Sequence, residues 1–125
     1  MISLERFEEI VQEITDSLPE AFFRELNGGV MVREPEKLHP AAVDHDLFVM
    51  GEYQRNYYLG RFVILYYGSF CRCYGYLGEE AMREQIRKVI LHEFRHHLES
   101  LAGERDLEWE DAAELAEYKE RRKNT

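Results

Sequence analysis

Along the first eighteen positions, apolar residues return at the interval of a helix: Leu4, Phe7, Ile10, Val11, Ile14 and Leu18 share one side. Ser3 stands at the N-cap position and Pro19 closes the run, so the pattern predicts an amphipathic first helix ending near Pro19. A shorter run over 20–26 predicts a second helix, stopped by Asn27-Gly28-Gly29. The pattern then changes. Val30-Met31-Val32 predicts a short strand, and 35–40, bounded by two prolines, a loop. Segments 47–50 and 61–67, rich in β-branched and aromatic residues, predict two further strands, with Gln54-Arg55-Asn56 in the antiparallel turn between them.

Nothing between 79 and 102 breaks a helix, and Gly103 is placed to cap it. On that helix Met82, Ile86, Val89, Ile90, Phe94 and Leu101 form one broad apolar face. A final acidic helix is expected over 107–121, followed by a frayed tail. The fold class predicted is α+β: one or two N-terminal helices, a small, mostly antiparallel sheet, a long helix and a C-terminal helix. With 125 residues, no repeats and no low-complexity linker, a single domain over 1–125 is expected.

Charge narrows the partners. The chain has 25 acidic and 16 basic residues, a formal net charge of -9, and no basic stripe to attract a phosphate backbone, so nucleic acid is not expected as a partner. No run approaches the roughly 18 apolar residues of a membrane span, and the charged N-terminal stretch does not read as a signal peptide. Cys71 and Cys73, separated by one residue, are too close for an unstrained disulfide, which points to free thiols and a reducing, cytoplasmic setting. Two cysteines alone also make a poor zinc site.

The distinctive chemistry lies in His92-Glu93-Phe94-Arg95-His96-His97. His92 and His96, four apart on a helix, project from adjacent turns on one side and can grip one Zn²⁺. Glu93 then stands beside the ion, placed to take a proton from a zinc-activated water as that water attacks a carbonyl. Against this stands a polar helix face of histidines and glutamates with no metal. His97, by the same angular count, falls in the apolar face, where a hydrogen-bonded core histidine is expected.

This motif resembles the HExxHH core of the minimal zincins, a family of small bacterial metallopeptidases of about this length. The resemblance covers most of the chain in outline, although only the histidine motif is specific. It implies a zincin-like fold, a bound Zn²⁺, a peptide or protein substrate, His92 and His96 as ligands and Glu93 as general base. The family's motif continues as HExxHxxGxxD, its aspartate being the third ligand. Here the sequence departs, with Glu99 at the glycine position and Ala102 at the aspartate position. A Gly-x-x-Asp recurs four residues later as Gly103-Glu104-Arg105-Asp106. Asp106 is therefore a candidate third ligand if the chain turns back at Gly103, its ordinary alternative being an N-cap for the next helix. Glu99, on the same stripe as His96, is the rival ligand.

Zincins commonly pair an extended substrate with a strand beside the active helix, and residues 61–70 are the expected edge. Tyr66, Tyr67, Tyr74 and Tyr76 are expected to pack rather than to polarise a carbonyl, with Cys71 and Cys73 on one strand face. The function implied is a zinc-dependent metallopeptidase that hydrolyses amide bonds. The alternative is a metal-binding regulatory or interaction module that keeps the fold with little turnover.

Overall fold

The computed structural model describes residues 1–123, with side chains as far as Gly103. Helix α1 spans Leu4–Ser17, and the Ser3 hydroxyl accepts a hydrogen bond from the Arg6 amide at 3.1 Å, as the sequence predicts. Pro19 cannot continue the helix, and residues Glu20–Phe23 form a single 3-10 turn where a second helix was expected. So short a segment gains too few internal bonds to propagate.

Strands β1 (Gly29–Arg33), β2 (Gly51–Asn56) and β3 (Gly60–Tyr66) form a sheet in the order β1-β3-β2. β2 runs antiparallel to β3 and β1 parallel to it, so the sheet is mixed rather than mostly antiparallel. Three expectations change with this topology. Residues 47–50 contribute only an isolated bridge between Leu38 and Phe48, and the second strand begins at Gly51. Gln54-Arg55-Asn56 belongs to that strand. The turn comes later, where the Asn56 side chain accepts from the amides of Tyr58 and Leu59 and Gly60 adopts a φ of +69°. Gln54-Arg55-Asn56 is polar because Gln54 lies on the sheet face opposite the helical core and Arg55 and Asn56 are exposed at the strand's end.

β3 lies between two partners, so it has no free edge for a substrate; the outer edge next to the long helix belongs to β2. Helix α2 (Tyr67–Tyr74) follows β3 directly, which places Cys71 and Cys73 on a helix rather than on a strand face; both are free thiols. Helix α3 spans Glu79–Lys123 and passes through Gly103 without a break. A lone glycine costs a helix only about 1 kcal/mol relative to alanine, and the residues on either side are helix formers.

The core lies between α1, α3 and one face of the sheet, where Phe7, Ile10, Val63, Leu65, Met82, Ile86, Ile90 and Phe94 are buried. Phe62, Ile64 and Tyr66 point to the opposite face, packed against Met31 and Val49 from the segment before β2. Among the described residues, no helix is long and apolar enough to cross a membrane.

Where β2 crosses α3, a residue without a side chain is required. A Cβ on Gly51 would lie 2.7 Å from Val89 Cγ1 and 3.0 Å from Leu65 Cδ2. Gly51→Ala should therefore cost about 1–3 kcal/mol in chemical denaturation. Adding Val89→Ala should recover part of the loss, whereas strictly additive effects would show that this contact does not set the strand–helix spacing.

Candidate metal centre

Helix α3 presents its outer flank to solvent and its inner flank to β2. His92 and His96 lie one turn apart on the exposed flank, with ring centroids 4.6 Å apart and ring planes at 89°. Their Nε2 atoms converge to 3.0 Å. Two imidazoles bound to one tetrahedral zinc at about 2.05 Å place their nitrogens about 3.3 Å apart, so this pair needs almost no movement to share an ion.

Glu93 is buried, at 6% exposure, one position toward the core. Its Oε1 lies 4.0 Å from His92 Nε2. Loss of water around the carboxyl raises its pKa above the usual carboxylate range, opposed by the charges of His92 and His96; Glu52 pushes it up further, and a hydrogen bond with the Tyr53 backbone lowers it. A carboxyl in this setting is a stronger proton acceptor than a solvated one.

Tyr53 ties β2 to the helix a second time. Its hydroxyl and His97 Nδ1 are 2.8 Å apart, and His97 Nε2 is 2.8 Å from the Arg24 carbonyl oxygen. A carbonyl can only accept, so Nε2 carries the proton and Nδ1 accepts from the Tyr53 hydroxyl. His97 is fully buried, which is the core role its angular position predicts.

Among the described residues, two cavities flank Glu93. The larger, about 810 Å³, is lined by Glu52, Tyr53 and Gln54 of β2 and by His96, Glu99 and Ser100 of α3, with Gly51 and Glu93 at its inner end. The smaller, about 370 Å³, lies on the His92 side and includes His39, Met50, Tyr74, Gln85, Lys88 and Val89, again with Gly51 and Glu93. Sequence reasoning missed His39, Gln85 and Lys88. The last two stand seven and four residues before His92 on one helix face, a spacing that could have marked them.

Glu99 comes within 4.0 Å of His96 Nδ1, but its other oxygen accepts from Arg95 Nε at 3.0 Å. Asp106 lies outside the described side chains. Among the described residues, no group of three or more His, Cys, Asp or Glu side chains is arranged to hold an ion. The donor set thus fits zinc at two imidazoles and is incomplete at the third protein position. Of the tyrosines considered, Tyr66 donates to Glu52 at 3.1 Å, Tyr67 donates to the Ile2 carbonyl at 2.6 Å, and Tyr76 is exposed. Tyr74 alone among them lines the cavities.

The sequence pattern of the zincin-like metallopeptidase family matches residues 32–117, a span that contains both cavities and the histidine pair. No curated protein matches the chain. A solved structure of a conserved hypothetical protein from Thermus thermophilus is similar at 35% identity and a TM-score of 0.69, covering 82% of this chain and 99% of that one.

The fastening of β2 to α3 can be tested without any substrate. Tyr53→Phe leaves Nδ1 of a fully buried histidine without its donor, which should cost about 1–3 kcal/mol in urea denaturation. An unchanged midpoint would mean that this hydrogen bond does not hold the strand.

Proposed function

Because the chain belongs to the zincin-like metallopeptidase family, we propose that it is a zinc-dependent hydrolase that cleaves amide bonds of peptides. The observation that carries this reading is the convergence of His92 and His96 Nε2 to 3.0 Å beside the buried Glu93 carboxyl. When bound, zinc supplies Lewis acidity, lowering the pKa of a water and polarising the substrate carbonyl. His92 and His96 would hold it from adjacent turns. Glu93 accepts the proton of the attacking water, whose oxygen bonds to the carbonyl carbon as the C–N bond breaks. The same carboxyl then passes that proton to the departing amine nitrogen. A hydrogen bond with the Tyr53 backbone orients Glu93 toward that role.

An extended peptide can add to the outer edge of β2, which borders the larger cavity. The third ligand in this reading is a carboxylate. Glu99 is favoured because it shares a cavity with His96 and because α3 does not turn back at Gly103. A cytoplasmic location is part of the proposal and rests on the two free thiols. The second reading is a metal-binding regulatory module that keeps the two imidazoles with little turnover.

Five substitutions test the site. Protein purified without chelator should carry one zinc per chain, lost in His92→Ala and in His96→Ala by elemental analysis. Glu93→Gln should keep the zinc and lower hydrolysis of any cleaved peptide by about 10²–10⁴-fold. Full activity in that variant would remove Glu93 from the mechanism, and zinc retention in both histidine variants would end the metal reading. For the third ligand, Glu99→Ala should weaken zinc affinity beyond the roughly 10–100-fold of an outer partner. If Asp106→Ala does so instead, with Glu99→Ala tolerated, the assignment passes to Asp106.

A further inference from the structure

Gly51 and Glu93 line both cavities, so the two make one trough whose halves meet over the Glu93 carboxyl. The halves differ in chemistry. The larger adds Glu52 and Glu99 to Glu93, and these two carboxylates pair with Lys37 and Arg95 respectively. Among the described residues, the smaller has no carboxylate besides Glu93. Val49, Met50, Tyr74 and Val89 give it apolar walls, and Lys88, His39, Gln85 and His92 supply its polar rim. Lys88 is exposed and forms no ion pair among the described residues. His39 Nδ1 accepts from the Ala41 amide at 3.0 Å, which leaves the proton on Nε2 as a donor for an incoming group.

The course of β2 gives this asymmetry a direction. The strand runs from Gly51, shared by the two halves, to Gln54 in the larger one. A peptide laid antiparallel on its edge has its N-terminal side against Gln54 and its C-terminal side past Gly51, in the smaller half. That is the half with an unpaired cation.

We propose that the smaller cavity is a binding site for the C-terminal residue of a peptide. It takes an apolar side chain against Val49, Met50, Tyr74 and Val89 and holds the free terminal carboxylate with Lys88 and His39. This inference rests on the hydrolase reading for the direction of the peptide, and it makes the substrate class peptides that end in an apolar residue. The amide over Glu93 is then the last of the chain, and hydrolysis releases that residue with its new amine.

Binding to the Glu93→Gln variant, incubated with zinc, tests this without turnover. Acetyl-Ala-Ala-Leu as the free acid and as its C-terminal amide would be compared by isothermal titration calorimetry. The acid should bind about fivefold more tightly, as expected for one partly exposed ion pair, and Lys88→Glu should abolish the preference. Lys88 is exposed, so that variant is expected to fold. Equal binding of the two peptides, binding of neither, or a preference that survives Lys88→Glu because the carboxylate sits on zinc alone, would overturn the proposal. Failure of the hydrolase reading looks different: the Lys88-dependent preference remains, but the unsubstituted protein cleaves neither peptide.

Discussion

The site depends on how one strand is fastened to one helix. Tyr53 meets α3 twice, through its backbone to Glu93 and through its hydroxyl to His97. The first contact offsets part of the cost of burying a carboxyl, and the second satisfies a histidine that has no access to water. His97 in turn bonds to the Arg24 carbonyl, so the register of β2 against α3 is tied to the segment that follows the 3-10 turn. Gly51 permits the close crossing, and Val89 sets its limit. A trough between strand and helix exists because these contacts fix their spacing.

Behind that seam the core does ordinary work. Phe94 lies one position after Glu93 and packs edge-on against Phe23, at 5.1 Å between centroids, so the helix cannot rotate without opening the core. The charged contacts between α1 and the start of α3, such as Arg6 to Glu79 at 2.7 Å, are solvent-accessible and add little to stability. They orient the N-terminal end of α3. Precision at the site therefore comes from buried contacts on one helix face, while the opposite face remains free to present His92 and His96.

Much of this could be read before any coordinates. Helical periodicity located α1, the start of α3, its buried residues and the inward position of His97, because a packed amphipathic helix repeats a simple constraint many times. The pairing of His92 with His96 followed from the same arithmetic. The edge strand was harder. Gly51-Glu52-Tyr53-Gln54 alternates as a strand should, yet its inward residues are a glycine and a tyrosine, and the polar Gln54-Arg55-Asn56 that ends the strand suggested a turn. The mixed sheet was not legible, since parallel pairing of β1 with β3 depends on where a long connection returns. Gly103 misled for a different reason: a glycine that permits a break does not compel one. His39 reaches the trough only through the path of the 34–50 segment, and no local signal announces it.

That segment also divides the molecule into what must be kept and what can vary. Its start is held on α2, where Gly68 donates to the Glu34 carbonyl at 2.9 Å, the Lys37 amide donates to the Ser69 hydroxyl at 3.0 Å and Arg72 pairs with Glu36 at 2.7 Å. Its end is held on β3, where the Tyr66 amide donates to the Met50 carbonyl at 2.9 Å. Between these anchorages Val43, at 87% exposure, marks a solvent-facing tip that carries no core contact. Residues can be inserted or deleted at such a tip with little penalty to the fold. Below the tip the His39 amide donates to the Leu47 carbonyl at 2.8 Å beside the Leu38–Phe48 bridge, so the loop can change length while His39, the histidine pair and its buried glutamate stay as they are.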